Sequence, residues 1–129
     1  MNPWFSTSLG ALALAVLAPM AGAAMPSHDA ARQIELGHHL YDEHCASCHR
    51  ADGRGGVHFA HAVSADLQAP GLERDYHHSD ALIVRAILEA RDEDGERLDQ
   101  PMPAWRGRLS PTQARAIVAY LHTLHGPAR

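Results

Sequence analysis

The stretch Cys45-Ala46-Ser47-Cys48-His49 decides how the rest of this 129-residue chain is interpreted. Its two cysteines are three positions apart, so they lie on one side of a helical turn, and a histidine follows directly. With this C-x-x-C-H spacing, each thiol can bond to one of two neighbouring vinyl groups of a porphyrin, while the imidazole reaches the iron. The motif therefore predicts one covalently attached haem c, with His49 as an iron ligand.

Other uses of the two cysteines fit the surrounding sequence less well. A thioredoxin-like pair would follow a strand in a βαβ pattern, whereas an amphipathic helical pattern precedes Cys45. A structural zinc site needs four ligands, and the flanking sequence offers no partner at zinc-finger spacing. A simple disulfide would leave His49 and the long loops of the chain unexplained.

Composition excludes several classes of protein. The chain has 15 acidic residues against 11 basic ones and a net charge of −4. All the basic residues are arginine, and they do not provide the strongly positive face that nucleic-acid binding requires, so we expect no nucleic-acid partner. Two cysteines are too few for a disulfide-stapled miniprotein, and an apolar content of 46% argues against disorder.

The N-terminal segment has the layout of a secretory signal peptide. It carries no charged side chain, Leu9–Ala18 form an apolar core, and the small residues at 21–23 suit cleavage. We therefore expect a signal peptide over residues 1–23, cleavage after Ala23, a single domain over residues 24–129 and a periplasmic location. An uncleaved membrane anchor is the alternative.

Three amphipathic helices are predicted from apolar positions three or four residues apart. The first begins near Asp29, and the second follows Ser79 and ends at the acidic run before Gly95. The third follows a capping box at Ser110 and stops at Gly126. No segment keeps strand alternation for long, so the predicted class is all-α.

Two long loops, at about residues 50–78 and 95–109, separate these helices. Loops of this length in a compact domain are usually functional or wrapped around another group. They contain little apolar material to pack on each other. We therefore expect a small all-α fold, with three main helices and long loops wrapped around one haem.

The haem iron needs a second axial ligand, and Met102 is the leading candidate. Beyond residue 23 the chain has only two methionines, Met25 and Met102, and Met102 lies between Pro101 and Pro103. These prolines restrict the backbone and remove two amide donors, so the thioether has few polar competitors nearby. Four histidines on the preceding stretch are alternative ligands. They are His58, His61, His77 and His78.

The order of these elements resembles the small class I c-type cytochromes, and the resemblance covers about residues 29–124. Residues 51–55 resemble the loop that follows the haem motif in that family, and residues 69–72 resemble its Ala-Pro-x-Leu segment. In the family the proline carbonyl commonly accepts the N–H of the haem-ligand imidazole. The resemblance therefore implies that Pro70 orients His49.

The same resemblance implies that the terminal helices cross. Gly37 and Tyr41 would then meet the region of Tyr120 and Leu121. Glycine inside a helix costs about 1 kcal/mol relative to alanine, so Gly37 independently suggests a close backbone approach. The sequence departs from the family at Arg50, where glycine is frequent, and in having no lysine for docking through a lysine ring.

Ligation by His49 and Met102 would leave no open position on the iron, so we expect a one-electron carrier rather than an enzyme. Two alternatives stay open: a haem subunit of a periplasmic dehydrogenase or oxidase complex, and a haem enzyme or sensor with an open sixth position. We expect redox protein partners with some positive surface, because the chain is acidic in sum. Membrane association through a partner complex is compatible with either electron-transfer role.

Overall fold

A computed structural model describes residue 22 and residues 25–126. Five helices follow one another along the chain: α1 (His28–His44), α2 (Ala46–His49), α3 (Gly71–Asp75), α4 (Asp80–Glu89) and α5 (Pro111–Leu121). Backbone pairing outside the helices in this part of the chain is limited to isolated bridges, so the all-α prediction is confirmed. The predicted signal peptide lies outside the described residues, apart from Gly22.

At the point where α1 and α5 cross, the two helix backbones are in direct contact. Gly37 is buried where α5 passes over it, and a Cβ atom at this position would overlap the carbonyl oxygen of Ala116. The Tyr41 and Tyr120 rings pack beside it, with centroids 5.3 Å apart. The expected close approach at Gly37 is confirmed, and α5 also packs against α4 on its other side.

The helix starts follow their caps, with one exception. The Ser27 hydroxyl accepts a hydrogen bond from the backbone of Ala30, and Ser110 forms the expected capping box with Gln113. Ser79 precedes α4, but its side chain makes no capping hydrogen bond. The prediction that a helix begins after Ser79 is therefore confirmed, but the prediction that its side chain caps the helix is wrong.

Two helices end earlier than the sequence predicts. Helix α4 ends at Glu89 because Ala90 adopts a left-handed conformation, with φ of 51°. The Ala90 carbonyl then accepts a hydrogen bond from the Leu98 amide, which folds residues 91–97 back on the helix end. Helix α5 ends at Leu121 rather than at Gly126.

Two short helices within the described residues were not predicted. Helix α2 is a single turn that holds every residue of the cysteine motif except Cys45, and α3 interrupts the predicted loop at residues 50–78. Segments of four and five residues are too short to show a helical apolar period. Helix α3 nevertheless buries Leu72 in the core.

The core lies between α1, α4 and α5. Each helix contributes one apolar face, and α5 contributes the most deeply buried side chains. The fully or almost fully buried apolar residues of these helices are Leu40, Tyr41, Ile83, Ala86, Ile87, Leu88, Ala114, Ala116, Ile117, Val118 and Leu121. No helix among residues 25–126 combines the length and apolarity that a membrane span requires.

Candidate haem site

The cysteine motif sits where α1 ends and the chain makes one further helical turn. The Cys45 amide donates to the Tyr41 carbonyl (2.8 Å), and the Cys45 carbonyl accepts from the amides of Cys48 (3.1 Å) and His49 (2.9 Å). Both thiols are unbridged, and both line the same cavity. Burial, together with the nearby Cys48 thiol, raises the pKa of Cys45 to about 12, so this thiol is protonated at neutral pH.

His49 is the one buried titratable histidine among the described residues, and its ring is held by a backbone carbonyl. Its Nδ1 atom lies 2.9 Å from the Ala65 oxygen. Because a carbonyl only accepts, Nδ1 carries the proton and Nε2 keeps a free lone pair. Burial lowers the pKa of His49, and the hydrogen bond to Ala65 offsets part of this effect. The ring is therefore the neutral imidazole that binds metals.

The structure assigns this orienting role to Ala65, so the expectation for Pro70 was wrong. Pro70 caps α3, its carbonyl accepts from the Arg74 amide (3.2 Å), and it does not line the cavity. A carbonyl that closes the first turn of a helix points along that helix. The motif resemblance located the right loop but the wrong carbonyl within it.

A short ribbon brings Ala65 to His49. The amide of Gly56 donates to the Ser64 carbonyl and the amide of Ser64 donates to Val57, both over 2.9 Å. Gly55 has φ of 63°, and a Cβ atom there would overlap the carbonyl oxygen of Ala65. Glycine is thus required at position 55 both for its backbone conformation and for the close approach of Ala65.

The cavity next to the motif has a volume of about 470 Å³ and a mainly apolar lining. It is walled by both of the long loops and by α1, α3, α4 and α5. Met102 lines it, held between Pro101 and Pro103 in a turn closed by a hydrogen bond from its amide to the Asp99 carbonyl (3.1 Å). The four alternative histidines are exposed and do not line this cavity.

Two lining residues were not singled out from the sequence as site residues. His44, directly before the motif, lines the cavity and packs against the Trp105 ring, with centroids 5.0 Å apart. Tyr41 lies fully buried in the cavity wall, and its hydroxyl donates to the Arg50 carbonyl (2.7 Å). The α1 pattern placed both on a helix, but only the packing of separate segments places them on this cavity.

The residues present fit a haem. The volume lies within the range of about 300–1,000 Å³ that is usual for cofactor sites. Two thiols, a neutral imidazole and a thioether face one apolar space, and this donor set suits covalent attachment and axial ligation of haem iron. The described part of the chain contains no cluster of three or more His, Cys, Asp or Glu side chains that would hold a bare metal ion instead.

Comparison with known proteins agrees with this geometry. Residues 34–125 match the cytochrome c family. The chain is 33% identical over 103 residues to the cbb3-type cytochrome c oxidase subunit CcoP of Azospirillum brasilense, an alignment that covers 78% of this chain and 31% of the relative. It is 29% identical over 102 residues to the cbb3-type cytochrome c oxidase subunit FixP of Bradyrhizobium diazoefficiens, covering 77% and 29%.

The chain spans about a third of the length of the curated relatives it matches. The family match includes the cysteine motif, the cavity loops and α5, because it runs from within α1 to beyond the end of α5. The chain belongs to the cytochrome c family, whose members carry covalently attached haem c and transfer electrons.

Proposed function

We propose that this chain is an exported one-electron carrier, with haem c attached through Cys45 and Cys48 and ligated by His49 and Met102. One observation carries the proposal: a single apolar cavity collects the motif and Met102 from distant segments and leaves out the four alternative histidines. Haem iron bound there supplies a change of one electron.

The protein's part is to hold these groups and keep water away. The Ala65 carbonyl fixes the His49 ring, and the two prolines limit the movement of the Met102 loop. The apolar lining disfavours the extra positive charge of ferric iron, and thioether ligation favours the ferrous form. Both effects raise the reduction potential. A sixth position filled by Met102 also argues against substrate chemistry at the iron.

Replacing Met102 tests the ligand set. We expect Met102→Ala to lower the midpoint potential, and we expect the ferrous variant, unlike the wild type, to bind carbon monoxide. Met25→Ala is the matched control, because Met25 is 89% exposed and does not line the cavity. A wild-type protein that already binds carbon monoxide readily would favour the haem enzyme or sensor with an open position.

A second candidate is a stable haem subunit of a terminal oxidase complex. The names of the relatives favour it, since each of those proteins is a subunit of a cbb3-type cytochrome c oxidase. Purification from native membranes and from the soluble extract separates the two. A free carrier is recovered from the soluble fraction alone, whereas a subunit co-purifies with an oxidase.

The proposed export has its own test. A mature protein whose N-terminal sequence begins at Ala24, recovered from the periplasmic fraction, supports cleavage after Ala23. A chain that keeps Met1 and sediments with membranes supports the uncleaved anchor. Both measurements are independent of the haem ligands.

A further inference from the structure

Carboxylates dominate the place where the haem cavity meets solvent. Asp66, Asp75 and Asp99 are exposed and line the cavity, and they come from three separate segments of the chain. None of them forms an ion pair with a described residue. We call these three residues the acidic rim.

Positive charge is placed elsewhere. None of the described arginines lines the cavity. The guanidinium of Arg108 comes beside it, stacked 4.2 Å from the centroid of the Trp105 ring. One neighbouring guanidinium does not balance three carboxylates, so the rim is negative in sum.

Apolar side chains share this mouth with the acidic rim. Val63 lines the cavity and is 54% exposed, so it adds an aliphatic surface at the cavity mouth. A second groove, of about 310 Å³, shares Phe59, Asp99 and Pro101 with the cavity. The cavity mouth and this groove therefore form one continuous surface of apolar contacts and carboxylates.

We propose that this surface docks a redox protein that presents an apolar centre surrounded by lysine or arginine. The inference rests on the proposed carrier function and specifies its partner. At an ionic strength of 0.1 M, charges interact over about 10 Å, so each carboxylate of the rim acts on the part of a partner surface that approaches the cavity mouth. Opposite charge around the contact speeds encounter and orients the partner.

The same charges disfavour the other occupants of an apolar surface. A second copy of this chain, docked by the same face, would bring two acidic rims together. An anionic lipid surface would also meet like charge. Both arrangements are repulsive.

The test compares two charge-neutralising variants of the haem-loaded protein. The first is Asp66→Asn, Asp75→Asn and Asp99→Asn combined, and asparagine keeps the shape of each side chain. The second is a control with the same change in net charge, Glu35→Gln, Asp94→Asn and Glu96→Gln. Its three residues are exposed and do not line either groove.

Three readouts apply, all at alkaline pH so that imidazoles are neutral. Oxidation and reduction rates are measured by stopped flow with a cationic ruthenium–ammine complex and with anionic hexacyanoferrate, over a series of salt concentrations. Binding of an oligolysine peptide is measured by calorimetry, which does not depend on electron transfer. Gel filtration of each variant reports self-association.

For the wild type and the control, we expect the cationic reagent to react faster at low salt and to slow as salt is added. Neutralising the rim should slow this reaction roughly tenfold at low salt, the lower end of the range for electrostatic steering, and should weaken oligolysine binding. The difference should vanish at high salt.

Equal effects in the rim and control variants would overturn the proposal, as would self-association that disappears when the rim is neutralised. Reaction with hexacyanoferrate that is fastest at low salt would also overturn it. If neither reagent changes the oxidation state, the carrier function itself fails, and that result is distinct from a reaction without dependence on the rim.

Discussion

The α1/α5 crossing and the loop-walled cavity bury apolar side chains against different partners. At the crossing, protein atoms meet protein atoms, and Gly37 leaves no room for even one methyl group beside Ala116. Around the cavity, apolar side chains from both long loops face a space of about 470 Å³. The first region is fully packed by protein atoms alone, whereas in the second the haem would fill the core.

The two regions should therefore differ in how much their stability depends on haem. A segment whose apolar surface packs on other segments gains its stability from the polypeptide itself. The loops at residues 50–78 and 95–109 also turn apolar side chains toward the cavity, so their order should depend on haem attachment. Four changes test this contrast, from the largest effect to the smallest.

Removing both thiols should have the largest effect. In Cys45→Ala combined with Cys48→Ala, no haem can be held covalently, so we expect all colour to leave the polypeptide on extraction with acid and organic solvent. Hydrogen exchange should show a greater loss of protection in the two loops than in α1 and α5. Ser47→Ala, within the same turn, is the control and should keep its colour. Equal loss of protection in the loops and the crossing would contradict the contrast.

Adding one methyl group to the crossing should destabilise the region that is fully packed by protein atoms alone. Because the Cβ atom of Gly37→Ala overlaps the Ala116 carbonyl, the helices must separate. We expect a loss of about 3 kcal/mol in the free energy of unfolding, the upper part of the range for overpacking. Urea denaturation measures it.

Gln33→Ala is the control for this change, because Gln33 is exposed on the same helix. It should alter the free energy of unfolding by less than about 0.5 kcal/mol. A Gly37 variant as stable as this control would show that the crossing adjusts freely.

Gly55→Ala should act on the cofactor side of the contrast. The new Cβ atom would displace the Ala65 carbonyl and break its hydrogen bond to His49. We expect a loss of about 1–3 kcal/mol in stability and a changed midpoint potential, because the imidazole loses its partner. Gly56→Ala shares the positive φ but meets open space. The Gly56 variant should lose some stability through backbone strain, but its midpoint potential should not change.

His122 offers the smallest and most specific effect. Its ring nitrogens lie 2.7 Å from Glu73 and 2.8 Å from Asp80, so it joins the end of α5 to α3 and α4. Partial burial lowers the pKa of His122, but the hydrogen bonds and charges of the two carboxylates outweigh it and hold the pKa above 6.5. A carboxylate acceptor at each ring nitrogen favours the imidazolium form, in which both N–H groups donate.

The contribution of His122 to stability should follow this raised pKa. It is fully present below the unfolded-state pKa of about 6.5 and is lost as pH rises through the higher folded-state pKa. The pair is partly exposed, so we expect less than about 1 kcal/mol. Urea denaturation from about pH 6 to about pH 8.5 should show a decline that His122→Gln removes. His125→Gln, at an exposed position, should keep it.

Part of the site was predictable because it is local. The C-x-x-C-H spacing acts within one helical turn, the Ser110 capping box closes within three residues, and a glycine inside the α1 pattern signals a close approach. Met102 was predictable as a cavity residue because its flanking prolines stand out in the sequence. Its ligation of iron is a prediction that the potential measurement tests.

Other features were not predictable because they depend on how distant segments meet. Nothing near His49 identifies Ala65 as the acceptor of its N–H, since any carbonyl offers the same chemistry. The nearest signal was Gly55, whose need for glycine becomes clear only when Ala65 lies against it. Helix α3 was missed because five residues carry no helical period.

Spacings of a few residues were enough to predict the class of cofactor and the all-α fold, because these signals are local. The crossing of the terminal helices was implied by the family resemblance, and Gly37 added a local sign of a close approach. Three features became visible only in the folded chain: the Ala65 carbonyl holds the His49 ring, His44 joins the cavity wall, and three aspartates from separate segments line the cavity. These are positions in space, and packing rather than neighbouring residues fixes them.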